Sequence, residues 1–195
     1  MIEHEKKMML RKDEYEYLMK LFGHDNLQTD PQNTKQINYY FDTDDLSMNR
    51  NHITCRIRWK NGTYIGTLKK HCPGADLSTE TAMDVGNGMV DNAFTDMGLK
   101  LQGELTTYRA VIWKDSDCEV VLDKNEYLGY TDYELEIEFA PEHEKKAHAL
   151  LRFFMDTLGH PPNTVAHREN TPQEQHLPSK SARFFERRTK YGICS

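Results

Sequence analysis

Glu134, Glu136 and Glu138 stand at every second position, interleaved with Leu135, Ile137 and Phe139. Side chains alternate across a β-strand, so a strand here carries a row of carboxylates on one face and an apolar row on the other. The start of the chain repeats the pattern. Glu3, Glu5 and Lys7 share one face, with Ile2, His4 and Met8 opposite. Same-face neighbours lie ~6–7 Å apart. Ordinary exposed sheet faces mix signs, because like charges side by side are destabilising. Segregated rows therefore need counter-charges, and the fold has to provide them.

A third row has the opposite sign. Ile53–Trp59 and Thr63–Lys70 flank Lys60, Asn61 and Gly62, a hairpin signature. Its first arm puts Thr54, Arg56, Arg58 and Lys60 on one face and Cys55, Ile57 and Trp59 on the other, and Lys69 follows in the second arm. Strands are also predicted at Ile2–Met9, Gln36–Thr43, Leu77–Val85, Glu104–Lys114, Glu119–Asp123 and Asp132–Phe139.

Helical spacing predicts a helix at Asp13–Phe22 closed by Gly23, and a short piece at Gly88–Gly98. Pro141 opens an amphipathic helix with Ala147, Leu150, Leu151, Phe154 and Leu158 on its apolar face, stopped by Gly159 and Pro161. Pro162–Pro178 reads as a loop, and a last helix is expected from about Ser179 to Lys190. Asn26–Thr34, Asp44–His52 and His71–Asp76 read as connections. Lys6 interrupts the apolar face of the first strand and is expected as a charge at a strand edge.

Eight strands with mostly short connections have edges to hide, which favours closing them into a barrel. The expected fold is α+β and mainly β: a closed eight-stranded antiparallel barrel with helices outside, formed by residues 1–195 as one domain. Two arrangements fit the alternation. In one, charged faces line the interior and apolar faces pack outward on helices; in the other, the apolar faces form the interior and the charges meet water.

Composition narrows the function. A formal net charge of −6 argues against a broad nucleic-acid surface. No apolar run is long enough to cross a bilayer as a helix, and the chain is acidic from its third residue, so a cytoplasmic location with no membrane or nucleic-acid partner is expected. Cys55, Cys72, Cys118 and Cys194 show no zinc-type spacing and read as free thiols. Carboxylate rows suit a divalent cation, and arginine forks suit polyphosphate oxygens.

Several motifs together resemble those of the CYTH family, the triphosphate tunnel metalloenzymes, and its small bacterial single-domain members most closely. They are Glu3-x-Glu5-x-Lys7, Asn38 to Thr43, Arg56-Ile57-Arg58, Thr67-Leu68-Lys69, Leu122-Asp123 with Leu128-Gly129 and Glu134-Leu135-Glu136, and Ser179 to Phe184. The resemblance implies a charged tunnel that binds a triphosphate-containing small molecule with Mg²⁺ or Mn²⁺, in a monomer or homodimer. It places Glu3, Glu5, Asp123, Glu134 and Glu136 on the metal. It places Lys7, Arg56, Arg58 and Lys69 on the substrate as the catalytic cations, with Arg109, Lys180 and Arg183 as further substrate contacts. Glu80 and Glu138 are left without a role.

The implied reaction is metal-dependent hydrolysis of an inorganic, organic or nucleoside triphosphate, with water as nucleophile. Two alternatives stay open. One is an adenylate cyclase of the same family; the other is a polyphosphate-binding module without turnover.

Overall fold

A computed structural model of the chain describes residues 4–23, 33–71, 78–83, 85, 93–159 and 177–191. Its strands are β1 (His4–Leu10), β2 (Asn33–Asp42), β3 (Ile53–Lys60), β4 (Thr63–His71), β5 (Ser78–Met83), β6 (Lys100–Lys114), β7 (Cys118–Tyr127) and β8 (Tyr130–Phe139). The helices are α1 (Lys12–Phe22), α2 (Ser47–Arg50), α3 (Ala93–Asp96), α4 (Glu144–Thr157) and α5 (Lys180–Tyr191). One sheet holds all eight strands in the order β1-β8-β7-β6-β2-β3-β4-β5, and every neighbouring pair is antiparallel. The strand count and the antiparallel pairing match the expected architecture. β1 and β5 are the edges, and no ladder joins them among the described residues, so the sheet is continuous without being seen to close.

Turn chemistry sets the hairpins. Asn61 and Gly62, both at positive φ, join β3 to β4, and Leu128 with Gly129 join β7 to β8 in the same way. The charge pattern stops short of β8's true start, and β7 runs four residues past the predicted Asp123, to Tyr127. Asn125, Glu126 and Tyr127 are poor strand formers or singly placed, so only the ladder to β6 and β8 reveals them. β6 also starts earlier than predicted, at Lys100, because Gly103 obscures the pattern.

The alternation resolves into an outer apolar face and an inner charged one. On the outside, α1 and α4 cover β7 and β8: Tyr15 and Leu18 of α1 and Ala147, Leu151, Phe154 and Met155 of α4 pack on Val120, Leu122, Leu135 and Ile137. Leu150 and Leu158, also predicted for this face, are partly buried against the same cluster. Lys6 has a partner there, because its ammonium lies 3.3 Å from Glu144 at the start of α4. A second outer cluster joins Phe41, Cys55 and Ile57 to Val85, Phe94 and Leu99.

The inner face is covered by α5. Phe184 and Phe185 sit in a nest of Tyr40, Leu105 and Tyr127, from β2, β6 and β7. β6 carries an irregularity opposite Tyr40 and Phe41, where Gly103 takes φ +139°. A Cβ on Gly103 would lie 2.9 Å from the Phe184 ring, so the glycine makes room for the helix as well as for the backbone. Ser181 of α5 hydrogen-bonds Thr54 on β3, while its neighbour Lys180 reaches β7 and β8. In a flat ladder β3 and β8 would stand about 19 Å apart. Consecutive residues of one helix touch both, so the inner face is concave around α5.

Candidate active site

The first half of the concave face is acidic. Asp123 on β7 and Glu134 and Glu136 on β8 are buried, and one oxygen of each lies within 4.8 Å of the others. The register explains this: Asp123 is opposite Glu134 across the β7–β8 ladder, and Glu136 is two residues on, on the same face. Lys7 on β1 pairs in register with Glu136, and Glu5 with Glu138. The two carboxylate rows therefore do face the same place. Glu3 lies outside the described residues.

Three side chains expected on phosphate turn to these acids instead. Arg109 donates to both oxygens of Asp123, at 2.9 and 2.7 Å, and also bonds Glu136 and Glu138. Lys180 places its ammonium 2.9 Å from Asp123, 2.5 Å from Glu134 and 2.8 Å from Glu136. Arg183 lies 2.9 Å from Asp132 and 3.1 Å from Glu134 Oε2. That last contact is out of line for a hydrogen bond, so Glu134 Oε2 is buried without an aligned donor.

Burial pushes the Glu134 and Glu136 carboxyls up, but the positive charges outweigh it, and both stay below the usual carboxylate range. Lys180 is the largest of these for each, followed by Arg183 for Glu134 and by Arg109 and Lys7 for Glu136. Glu138 goes the other way: burial lifts it despite Arg109. As the last member of the row it accepts a hydrogen bond from Arg109.

Two residues that hydrogen-bond within the acidic half escaped the sequence. Asp132 accepts from Tyr127, Asn125 and Arg183. Asn125 donates to Asp132 and to Glu134 Oε1, and accepts from Thr107. These bonds fix the rotamer of Glu134. The signal was available as parity, because Asp132 is two residues before Glu134 and Asn125 two after Asp123.

The other half is basic. Arg56 donates to Thr67 and lies 3.3 Å from Glu80; Lys69 is 4.0 Å from the same carboxylate. Glu80 thus belongs to this half and positions both cations. Arg58 donates to the Asn38 side-chain oxygen at 3.0 Å, and among the described residues no carboxylate forms an ion pair with it. Burial, with Arg56 beside it, pushes its guanidinium down to about 10. Lys7 lies on the acidic side: its ammonium is 2.6 Å from Glu5, at the edge strand.

Three buried carboxylates converging at this spacing, one with an oxygen lacking an aligned donor, are an all-oxygen donor set of the kind hard divalent cations take. Elsewhere, Cys55 and Cys118 are free and buried in the outer clusters, away from this face. Cys72 and Cys194 lie outside the described residues. No described helix is long and apolar enough to cross a membrane.

Comparison with known proteins agrees on the family. The CYTH domain matches over residues 1–168. YjbK of Bacillus subtilis (strain 168), named as a triphosphatase, is 35% identical over 157 residues, covering 73% of this chain and 80% of that one. Among solved structures, a Bacillus halodurans protein named as an adenylate cyclase superposes with a TM-score of 0.64 at 26% identity, over 94% of this chain and 97% of its own. HpAC1 of Hippeastrum, named as an adenylyl cyclase and described as having a dominant triphosphatase activity, shares the fold. Its TM-score is 0.62 at 19% identity, over 95% of both chains.

Proposed function

The chain belongs to the CYTH domain family, and we propose that it is a metal-dependent triphosphatase working inside a charged tunnel formed by this concave face. The observation that carries the proposal is the division of that face. Asp123, Glu134 and Glu136 converge within 4.8 Å on one side, and on the other Arg58 is partly buried with a neutral amide as its hydrogen-bond partner. A partly buried guanidinium that forms no ion pair with a described carboxylate keeps charge to spare, and a phosphate oxygen would complement it.

In this scheme Arg56 and Arg58 grip the triphosphate with their forks, and Lys69 adds a point charge. Glu80 holds Arg56 and Lys69, and Asn38 holds Arg58, so the cations are fixed before substrate arrives. Asp123, Glu134 and Glu136 hold Mg²⁺ or Mn²⁺, with Glu5 and Lys7 at the β1 edge of the same site and Glu3 preceding them. When bound, the cation supplies neutralising charge to the phosphoryl oxygens and lowers the pKa of a water. Asn125 keeps Glu134 in place for this role. Phosphoryl transfer asks the protein mainly for positioning and charge stabilisation, and this face offers both.

The cyclase name borne by the Bacillus halodurans relative keeps a second reaction on the same site in view, with the 3′-hydroxyl of ATP replacing water. One assay separates them. The purified protein is incubated with Mg²⁺ or Mn²⁺ and, separately, inorganic triphosphate, ATP and thiamine triphosphate, and both phosphate and cyclic AMP are measured. Metal-dependent phosphate release is the expected result. Cyclic AMP without phosphate release, or tight triphosphate binding without turnover, would overturn the proposal.

A further inference from the structure

We propose that Lys180 is a built-in competitor of the divalent cation: its ammonium holds the inward oxygens of Asp123, Glu134 and Glu136, and a metal ion must displace it to bind. The proposal rests on the metal site assigned above.

The geometry is specific. Lys180 Nζ contacts Asp123 Oδ2, Glu134 Oε1 and Glu136 Oε1, one oxygen from each member of the set, at 2.9, 2.5 and 2.8 Å. Mg²⁺ takes its oxygen ligands at about 2.0–2.1 Å. An ammonium nitrogen and a metal centre cannot both lie that close to the same three oxygens. The remaining oxygens are largely committed. Arg109 takes Asp123 Oδ1 and Glu136 Oε2, and Arg183 stands beside Glu134 Oε2. Lys180 is therefore the cation that occupies the shared centre, while the two arginines brace its rim.

Its attachment permits exchange. α5 is anchored through Phe184, Phe185 and the Arg183–Asp132 pair, and none of these involves the Lys180 side chain. The ammonium can leave by rotating its own four-carbon stem while the helix stays seated. Ser181, the next residue, bonds Thr54 on β3, the strand that carries Arg56 and Arg58. A swing in that direction brings a positive charge toward two others, which is unfavourable unless an anion lies between them. The two ligands are thereby coupled: triphosphate gives the displaced ammonium a place to go, and so tightens metal binding, with the reciprocal effect of metal on triphosphate.

The test measures Mn²⁺ binding, by calorimetry and by the electron paramagnetic resonance signal of free Mn²⁺, on chelator-stripped protein without substrate. Lys180→Met should bind Mn²⁺ about tenfold tighter than the wild type. Tripolyphosphate should tighten Mn²⁺ in the wild type and do so less in the variant. Glu134→Gln, in either background, should weaken Mn²⁺ binding and so report on the site itself. Equal or weaker Mn²⁺ affinity in Lys180→Met, with Glu134→Gln still weakening it, would overturn the competition and leave the metal site standing. No Mn²⁺ binding in either protein, with or without tripolyphosphate, would overturn both. Should Lys180→Met not fold, the wild type gives the answer. Acetylation of Lys180, read by peptide mass spectrometry, should rise when Mn²⁺ is added, and unchanged labelling would overturn the proposal.

Discussion

The acidic and basic halves of the inner face are built on opposite principles. On β7 and β8 every buried carboxylate already has a cation from within the chain: Arg109, Lys180 or Arg183. On β3 and β4 the arrangement is sparser. One carboxylate, Glu80, serves both Arg56 and Lys69, and Arg58 has a neutral partner. Each buried acid of the first half has a cation partner from the chain; the basic half is left with surplus positive charge. Two arginines on one concave face thus have different partners: Arg109 is bonded to Asp123, Glu136 and Glu138, and Arg58 to the Asn38 amide.

The contrast can be broken experimentally. The largest effect is expected at Glu136→Gln, which keeps shape and removes a charge from the shared centre. Metal-dependent turnover should fall by about 10²–10³-fold with the circular dichroism spectrum unchanged; undiminished kcat would remove Glu136 from the site. Next comes Arg109→Met. Breaking a buried ionic network by deleting one partner costs about 3–5 kcal/mol, so Tm should drop by on the order of 10 °C. A Tm within error of wild type would contradict its bracing role.

Arg58→Met is the matched comparison on the other side. It removes a partly buried charge that forms no ion pair with a described carboxylate, so Tm should hold or rise. Loss of a charge-assisted hydrogen bond should raise the triphosphate KM by about 10–100-fold. A large Tm loss at Arg58, or an unchanged KM, would erase the distinction between the two arginines.

The smallest effect is a pH dependence. Glu134 and Glu136 are held below the ordinary glutamate value of 4.5 in the folded chain. Their contribution to stability is thus fully present above about pH 4.5 and is lost as pH falls through their folded values. Glu138, raised by burial, has the opposite sign and partly offsets this. Tm measured from pH 6 down to pH 3 should decline below about pH 4.5, and the decline should be shallower in Lys180→Met, which lacks the main cause of the shift. An identical profile in the variant would assign the acid sensitivity elsewhere.

Strand parity made most of this face legible in the sequence. Rows at Glu134, Glu136 and Glu138 and at Arg56 and Arg58 are local patterns, and a strand has only two faces on which to put them. The hairpin at Asn61-Gly62 and the stripe on α4 were equally local. Pairing was not. Nothing in the spacing of Lys180 or Arg183 tells that a helix some 40 residues after β8 folds back onto its acids, because that depends on Phe184 finding the space left by Gly103. For the same reason the ion pair of Arg109 with Asp123 was hidden: their register is a property of the ladder, not of β6 alone. Asp132 continues the acidic row and Asn125 the face of Asp123, so both were within reach of parity.

The pairing of β1 with β8 has a consequence for the making of the molecule. Leu10 meets Tyr133 in that ladder, so β1 leaves the ribosome about 120 residues before its partner exists. At about 5–20 residues per second, that is an interval of roughly 6–25 s in which Lys7 and Met8 have no sheet to join. Closing so long a loop is also slow once the partner has emerged. A nascent chain of this kind is exposed to strand-edge aggregation for longer than a helical protein of its length, and would gain from a chaperone that shields β1 until β8 arrives.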